Sequence, residues 1–303
     1  MKTTQSVLTL VADHTAEAEI RNIAEQAREC LDDQGGNCEA IDWLSEDTAC
    51  DIPFEQLDQS AAEKSLEKAG LLGQLDFCLQ PAAQRRKKLF LADMDSTIIT
   101  VECIDELADF AGLKEEVSKI TEDAMNGKIE FNDAFRERVA MLKGLHREVL
   151  QRVFEERVSL TPGAQTLVQT MRHNGTYTAL VSGGFTFFTG LVREWVGFHM
   201  DMSNELLFDG DQLTGIAAEP ILNSTAKLNT LLRLKAETGL ADAETLAIGD
   251  GANDIPMIEA AGLGVAFHAK AKAAAAADAN IRFGDLRTLL YYQGYRAEEF
   301  IGP

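Results

Sequence analysis

The sequence predicts an α/β protein with a Rossmann-like parallel sheet, a helical cap inserted after the first core strand, and a small α+β unit in front. Three observations support this prediction. Apolar runs alternate with helical patterns after residue 160, helical patterns alone fill 101–160, and strand and helix patterns alternate within 1–82. Strand–helix alternation favours a parallel sheet, and consecutive amphipathic helices favour a helical layer. The predicted units are therefore 1–82 and 83–303, with the cap at about 101–160.

The composition bounds the class of protein and its partners. The chain has 303 residues, of which 46% are hydrophobic and 25% charged, as in ordinary globular proteins. The formal net charge of −21 argues against nucleic acid as a partner, because affinity for nucleic acid depends on lysine and arginine at the phosphates. A small phosphorylated molecule remains compatible with this charge if positive charge or a metal is concentrated locally.

The absence of recognisable targeting signals and of paired cysteine spacing predicts a cytoplasmic protein. No stretch resembles a membrane span, and the first residues lack the apolar core and cleavage site of a signal peptide. We therefore expect no membrane partner. The five cysteines show no C-x-x-C spacing and are expected to be free thiols; they are Cys30, Cys38, Cys50, Cys78 and Cys103.

The N-terminal unit reads as a small strand and helix module. Its predicted elements are strands at 6–13, 38–45 and 75–80, helices at 16–33 and 61–70, and an irregular stretch containing Pro53. This element order resembles the ACT-type regulatory domains. A docking module without a ligand is an equal alternative, and either could support a homodimer.

The first core strand ends in two carboxylates. The apolar residues 89–92 run into Asp93 and Asp95, as expected at the carboxyl end of a buried parallel strand, where open α/β sheets place their ligands. Side chains two residues apart on an extended chain project to the same side. One carboxylate can therefore attack while the other moves protons, and a divalent cation or a raised pKa would relieve their repulsion.

The insertion after this strand is predicted to be helical. Four amphipathic helices are expected at 103–113, 114–127, 131–145 and 146–158. A helical layer directly after such a strand is positioned to close over a site and expel water. Glu102, Phe131 and Arg138 are the residues of interest here.

The chain then returns to strand–helix alternation. A helix at 163–173 precedes a buried strand at 176–185 that contains Ser182-Gly183-Gly184, and a helix at 186–195 follows. A small hydroxyl before two glycines permits close approach of the backbone to an oxyanion. The stretch 205–217 reads as a structural hairpin around Asp209-Gly210-Asp211.

Two further features complete the pattern of charged residues. Lys227 stands at the start of a helix predicted at 226–239, which the helix dipole disfavours, so we expect it to face a negative charge. A strand ending at Asp250 is followed by Gly251, Asn253 and Asp254. A carboxylate at a strand end with acids and amides nearby suits magnesium, which prefers oxygen ligands.

The last predicted elements of the sequence are an alanine-rich helix, a strand at 280–283 and a helix at 286–293.

Four motifs in this order resemble those of the haloacid dehalogenase-like phosphohydrolases: D-x-D-S-T at 93–97, S-G-G at 182–184, Lys227, and G-D-G-x-N-D at 249–254. The resemblance covers about 88–290. Met94 stands where the family often has phenylalanine, at a position expected to face away from the reaction. The resemblance implies a haloacid dehalogenase-like core and phosphate-ester chemistry.

By resemblance, the charge of the substrate is balanced by a metal ion and a lysine. A phosphate monoester carries about two negative charges and must approach Asp93, so counter-charge is needed. The family implies Mg²⁺ held by Asp93, Asp250 and the backbone carbonyl of Asp95, with Asp254 orienting water on the metal. Lys227 would neutralise the nucleophile and the phosphoryl group.

The resemblance also implies the reaction. Asp93 would attack phosphorus while Asp95 protonates the leaving oxygen, and Asp95 would then act as base toward the water that hydrolyses the aspartyl-phosphate. Ser182 and Gly183 would contact phosphoryl oxygens, and Asn253 would help to position the substrate.

By the same resemblance, which extends to Glu102, Phe131 and Arg138 in the cap, the expected substrate is phosphoserine. Phosphoserine carries an ammonium and a carboxylate besides its phosphate, and Glu102 and Arg138 offer the opposite charges, with Phe131 covering the short stem. The expected reaction is hydrolysis of L-phosphoserine to L-serine and phosphate, the last step of serine synthesis. Two alternatives stay open: the same chemistry on another small phosphomonoester or with an alcohol acceptor, and a non-catalytic protein that senses an amino acid.

Overall fold

The computed structural model describes residues 5–13, 20–73, 75–126 and 128–303. The strands are β1 Ser6–Val11, β2 Asn37–Cys38, β3 Asp42–Ser45, β4 Ala49–Glu55, β5 Asp76–Pro81, β6 Leu89–Ala92, β7 Tyr177–Phe185, β8 Met200–Asn204, β9 Leu206–Asp209, β10 Gln212–Ala217, β11 Thr245–Gly249, β12 Gly264–Phe267 and β13 Ala279–Ile281. The α-helices are α1 Ile20–Asp33, α2 Gln59–Lys68, α3 Cys103–Phe110, α4 Lys114–Met125, α5 Phe131–Met141, α6 Glu148–Arg157, α7 Ala164–His173, α8 Thr186–Val196, α9 Ser224–Thr238, α10 Ile255–Ala260, α11 Ala271–Ala276 and α12 Thr288–Tyr292.

A single mixed sheet runs through the molecule. Its strand order is β2-β4-β1-β5-β13-β12-β11-β6-β7-β8, with β3 paired to β4. The strands from β13 to β8 are all parallel, whereas the N-terminal strands pair in antiparallel fashion. This arrangement confirms the predicted α/β class with a parallel core, and it places β6 between β11 and β7.

The core strands bury both of their faces. Along β6, Leu89 and Leu91 pack with residues of α9 and α10 on one side of the sheet. Phe90 and Ala92 join the main core on the other side, together with residues of α7, α8 and α12. A strand covered on both faces needs a continuous apolar run, and the LFLA sequence of β6 provides one.

The insertion after β6 is helical, as predicted. Helices α3 to α6 occupy it, and the two ends of the insertion meet where Ile99 and Leu160 form an isolated β-bridge. The β9–β10 hairpin, predicted as structural, packs against α5. The predicted end of the second cap helix, residue 127, lies outside the described residues.

The N-terminal strands and helices form the split β-α-β arrangement, with α1 and α2 packing in one apolar cluster with the sheet. The prediction of an irregular stretch around Pro53 is wrong, because β4 occupies Ala49–Glu55 and pairs with both β1 and β2. Proline lowers the expectation of a strand since it cannot donate a ladder hydrogen bond. The first residues of the predicted 16–33 helix lie outside the described ranges, and the ACT-like assignment stays a prediction.

Buried polar contacts join the N-terminal strands to the core. Asn280 of β13 pairs with Phe77 of β5. The carboxylate of Asp76 accepts backbone N–H groups from 282–284, the first at 2.7 Å from Arg282. Arg85 makes a two-pronged contact with Asp51 at 2.6 and 2.9 Å. The predicted boundary near residue 82 therefore lies inside one continuous sheet.

Two smaller differences concern the edge of the core and its last elements. Strand β8, which was not predicted, forms one edge of the sheet in a sequence, MDMSN, without a strong apolar pattern. Strand β13 ends at Ile281, and α12 is shorter than the predicted helix. Across the described residues, none of the helices combines the length and apolar character needed to cross a membrane.

Candidate active site

Three neighbouring strands bring polar groups to one edge of the sheet. Asp93 follows β6, Asp250 follows β11, and Ser182 lies near the end of β7. All three side chains are buried. Next to them lies a cavity of about 200 Å³, lined by Asp93, Asp95, Ser182 and residues of the cap. The carboxyl ends of adjacent parallel strands therefore converge on one small space, as open α/β sheets require.

A buried lysine joins two carboxylates at the base of this cavity. The Nζ atom of Lys227 lies 2.7 Å from Asp93 Oδ1 and 2.7 Å from Asp254 Oδ1, and the lysine is fully buried. Burial opposes the charge of Lys227, but the carboxylates of Asp254 and Asp93 outweigh it and raise its pKa. Lys227 is therefore a fixed positive charge beside Asp93, which matches the expectation that it faces negative charge.

The carboxylate of Asp254 is fully engaged within the protein. Its Oδ1 accepts from Lys227, and its Oδ2 accepts the backbone N–H groups of Asp250 at 3.2 Å and Gly251 at 3.1 Å. Asp254 thus holds the backbone of the turn after β11 in place, and with it the backbone of Asp250. Gly249 permits this packing, because Asp254 lies directly against its Cα.

Asp250 and Asp93 fit a divalent cation. Carboxylate oxygens of Asp93, Asp250 and Asp254 lie within 4.8 Å of one another. Asp250 Oδ1 is buried and finds no hydrogen-bond partner among the described residues. Burial raises the pKa of Asp250, and the nearby Asp254 carboxylate adds to this effect. A buried, unsatisfied carboxylate is unfavourable unless a cation joins it, and an all-oxygen donor set suits magnesium.

Asp93 has one oxygen held and one available. Its Oδ1 accepts the N–H of Met94 at 2.8 Å as well as the contact from Lys227. Burial and the Asp254 carboxylate raise the pKa of Asp93, while Lys227 opposes that rise. The side chain is thereby oriented, and Oδ2 remains the atom that can act as a nucleophile.

Asp95 links the core to the first cap helix. Its Oδ1 accepts the N–H of Cys103, the first residue of α3, at 2.8 Å, and its Oδ2 accepts from Ser182 Oγ at 3.0 Å. A carboxylate at a helix N-terminus is stabilised by the helix dipole. Burial nevertheless raises the pKa of Asp95 above its ordinary value. A carboxyl group that can carry a proton and is held at both oxygens suits general acid and base chemistry.

The S-G-G segment brings backbone close to the carboxylates. Ser182 Oγ accepts the N–H of Gly184 at 2.8 Å while donating to Asp95. A Cβ on Gly184 would lie 2.9 Å from Asp95 Oδ2, and a Cβ on Gly183 would lie 2.8 Å from the ring of Phe131. Glycine at these two positions therefore leaves room for the ring of Phe131 and for the carboxylate of Asp95.

The cap supplies the other end of the cavity. Glu102, Phe131 and Arg138 all line it, together with Asn253 from the turn after β11. Phe131 stacks on Phe135 with ring centroids 6.0 Å apart. Burial, followed by the Asp95 carboxylate, raises the pKa of Glu102 to about 8. The structure thus brings every side chain predicted for the site to this cavity or to the carboxylates beneath it.

Three site residues were not predicted from the sequence. Ser96 adopts a left-handed conformation at φ 54° and donates its hydroxyl to Glu102 Oε1 at 2.6 Å. Thr121 of α4 lines the cavity beside Arg138, and Asp105 of α3 lies behind it. The signal that could have found Thr121 is a hydroxyl residue one turn after Val117 on the buried face of α4.

A wider groove of about 810 Å³ adjoins the cavity. Glu102, Thr121 and Met125 border both spaces, whereas Asp250 borders only the groove. Asp250 is therefore reached from the groove, whereas Asp93 and Asp95 are reached from the cavity under the cap.

Sequence comparisons identify relatives of known activity. A family model described as haloacid dehalogenase-like hydrolase matches residues 90–259. The chain is 41% identical over 232 residues to a phosphoserine phosphatase from Archaeoglobus fulgidus, a match that covers 76% of this chain and 67% of the relative.

Comparisons with solved structures extend the likeness to the whole chain. A HAD family hydrolase from Salmonella enterica subsp. enterica serovar Typhi matches with a TM-score of 0.82 at 29% identity, covering 98% of this chain and 99% of that one. A phosphoserine phosphatase solved as a phospho-aspartyl intermediate analogue matches with a TM-score of 0.66 at 39% identity, over 68% of this chain and 98% of that one.

Proposed function

Because the chain belongs to the haloacid dehalogenase-like hydrolases, we propose that it hydrolyses L-phosphoserine to L-serine and phosphate, the final step of serine synthesis. The observation that carries this proposal is the two-ended cavity. One end holds Asp93 and Asp95, and the other holds Glu102 and Arg138. A volume of about 200 Å³ suits a small phosphomonoester and not a macromolecule.

The first half of the reaction forms an aspartyl-phosphate, an acyl phosphate, on Asp93. Its free carboxylate oxygen attacks phosphorus, the bond between phosphorus and the serine oxygen breaks, and Asp95 gives its proton to that oxygen. The raised pKa of Asp95 supports its holding this proton. Lys227, 2.7 Å from Asp93, offsets the negative charge gathered at the attacking carboxylate.

The second half returns the enzyme to its starting state. Asp95, now ionised, takes a proton from water as the water oxygen attacks the phosphorus of the aspartyl-phosphate, and the bond from phosphorus to Asp93 breaks. Ser182 and Gly183 border the same space. With the phosphoryl group present, the Ser182 hydroxyl turns its proton from Asp95 to a phosphoryl oxygen, and the backbone N–H at Gly183 donates to another. The hydrogen bond from Cys103 N–H keeps Asp95 in place in both halves.

The metal proposed for this site is Mg²⁺, held by Asp93, Asp250 and the backbone carbonyl of Asp95. When bound, it supplies positive charge to the phosphoryl oxygens and to the attacking carboxylate. Asp254 does not need to be a direct ligand, because both of its oxygens already accept hydrogen bonds. Its role is to hold Lys227 and the turn that carries Asp250.

At the other end, opposite charges select the amino-acid part of the substrate. The Glu102 carboxylate receives the ammonium group, and the Arg138 guanidinium receives the carboxylate, in the bidentate geometry that arginine favours. Phe131, which stacks on Phe135, covers the carbon stem between them.

Phosphate release from L-phosphoserine tests the proposal. We expect rapid release with Mg²⁺, none with excess EDTA, and a marked preference over other small phosphomonoesters such as 3-phosphoglycerate and O-phosphothreonine. The Asp93→Asn variant serves as the control for contaminating phosphatases. Turnover of other esters but not phosphoserine would reject the substrate while keeping the roles of Asp93 and Asp95.

A further inference from the structure

Arg138 is placed so that most of its hydrogen-bonding capacity is free. It is only 6% exposed, and its guanidinium makes two hydrogen bonds, from Nε to Ala134 O at 3.2 Å and from Nη1 to Thr121 Oγ1 at 3.1 Å. Among the described residues, no carboxylate lies within ion-pair distance of it. A guanidinium has five N–H donors, so three remain for a ligand.

The hydroxyl of Thr121 has a fixed direction. Besides accepting from Arg138, it lies 2.7 Å from Asp105 Oδ1. A guanidinium can only donate, so the hydroxyl accepts from Arg138. The hydroxyl proton faces two acceptors, Asp105 Oδ1 at 2.7 Å and the backbone oxygen of Val117 at 3.1 Å, of which the charged carboxylate is the nearer and stronger. Thr121 and Asp105 are both buried. The result is a polarised chain that runs from carboxylate to hydroxyl to guanidinium.

This series of hydrogen bonds joins three helices of the cap. Asp105 lies on α3, Thr121 on α4 and Arg138 on α5. Asp105 borders the outer groove and not the substrate cavity, whereas Thr121 borders both. Asp105 therefore does not touch the cavity and is joined to Arg138 by hydrogen bonds through Thr121. These bonds hold the long Arg138 side chain, which has many rotamers, in one of them.

We infer that Thr121, backed by the carboxylate of Asp105, is a positioning residue that holds the Arg138 guanidinium ready for the carboxylate of an amino-acid phosphoester. The inference rests on the proposed function and adds the residues that set its specificity. Removal of the hydroxyl leaves a buried N–H group and a buried carboxylate oxygen without this partner, so Arg138 turns away from the substrate.

The test compares two substrates that differ by one carboxylate, L-phosphoserine and O-phosphoethanolamine. Thr121→Val should lower the ratio of their kcat/KM values roughly 10- to 100-fold, through the KM for phosphoserine. Thr121→Ser restores the hydroxyl and should restore the ratio. Asp105→Asn, which keeps the shape but removes the charge, should lower it less.

Ser118→Ala is the matched control, since Ser118 is a partly buried hydroxyl residue on the same helix that borders only the outer groove. It should leave the ratio unchanged. An equal loss of kcat/KM for both substrates in Thr121→Val would overturn the inference and leave Thr121 with a purely structural role. No loss of kcat/KM for either substrate would overturn it as well.

Calorimetric binding of L-serine and ethanolamine separates this inference from the proposed function. A wild-type chain that binds L-serine without hydrolysing phosphoserine would reject the proposed function alone. Loss of serine binding in Thr121→Val, with ethanolamine binding retained, would then still support the inference. A wild-type chain that hydrolyses phosphoserine, with L-serine bound equally well by wild type and Thr121→Val, would overturn the inference and keep the proposed function.

Discussion

The two ends of the cavity are built in different ways. The proposed phosphate end consists of strand ends in the parallel core, where Asp93 follows β6 and the fully buried Lys227 lies beneath it. The amino-acid end consists of helices inserted between β6 and α7, where Arg138 is held by a hydroxyl from a neighbouring helix.

This difference separates chemistry from recognition. Reacting groups gain from the rigid edge of a sheet that is covered on both faces, because misplacement lowers the rate steeply. Recognition groups on an inserted layer can change without disturbing the core. We therefore expect changes at the core end to lower kcat for every substrate, and changes at the cap end to raise KM for phosphoserine alone.

The largest expected effect comes from Asp93→Asn at the core end. It should lower kcat by roughly 10⁴-fold or more for all phosphomonoesters, because the amide cannot form the aspartyl-phosphate intermediate. L-Serine should still bind, since the cap residues are unchanged. Rates from rapid mixing and calorimetry would check both parts, and a loss of serine binding would break the separation of the two ends.

Lys227→Met should affect both the stability of the core and its chemistry. The change leaves the buried carboxylates of Asp93 and Asp254 without their cation, which costs about 3 to 5 kcal/mol when a buried pair loses one partner. Urea unfolding of the metal-free protein would measure this change. An unaltered midpoint would contradict the role given to the ion pairs at 2.7 Å.

Arg138→Ala tests the cap end. It should raise KM for L-phosphoserine about 100-fold while leaving kcat nearly unchanged, because truncation of a buried charged partner typically loses a few kcal/mol of binding. An aryl phosphate, which has no carboxylate, should be hydrolysed almost as before. Equal effects on both substrates would remove the assignment of Arg138 to the substrate carboxylate.

The pH dependence of serine binding tests Glu102. Its pKa is raised to about 8 by burial and by Asp95, so below that pH the carboxyl is mostly protonated and must lose its proton to pair with an ammonium. Binding of L-serine at pH 7 should therefore release up to about one proton, and affinity should weaken as pH falls, by at most about tenfold per unit.

Calorimetry in buffers of different ionisation enthalpy would count the protons released. Glu102→Gln is the control and should abolish the release. The same proton count in that variant would assign the proton to another group and weaken the role of Glu102.

The smallest expected effects come from two neighbouring glycines that face opposite ends. In Gly183→Ala the new Cβ meets the Phe131 ring, whose end can shift, so KM for phosphoserine should rise only about two- to fivefold. In Gly184→Ala it meets Asp95 and Ser182, so kcat should fall for phosphoserine and for an aryl phosphate alike. Steady-state kinetics of both variants on both substrates would show whether the boundary between the reacting end and the recognition end of the cavity lies between Gly183 and Gly184.

Much of the architecture could be predicted because it depends on local patterns. The apolar run of β6, the helical spacing of the cap and the acids after β6 and β11 are all readable along the chain, and the α/β class with a helical insertion is confirmed. The family resemblance is confirmed as well.

What was missed depends on contacts that are distant in sequence. Strand β4 contains Pro53, and its pairing with β1, β2 and β3 stabilises it as a strand. The continuity of β5 with β13 could not be predicted, because strand pairing across the chain leaves no local pattern. Thr121 looks like any small residue on a buried helix face until Arg138 and Asp105 are placed on either side of it.

The continuity of the sheet also has a consequence for synthesis of the chain. Asp76 on β5 bonds to Arg282, which is 206 residues later. At about 5 to 20 residues per second, a ribosome needs roughly 10 to 40 s to make the partner of this edge. During that time β5 is an exposed strand edge, a site where nascent chains can pair wrongly. The charge of Asp76 at its start and the ring of Pro81 at its end are features that discourage such pairing. Asp76, which later bonds to the segment that continues the sheet, thus also discourages wrong pairing of β5 while the rest of the protein is being made.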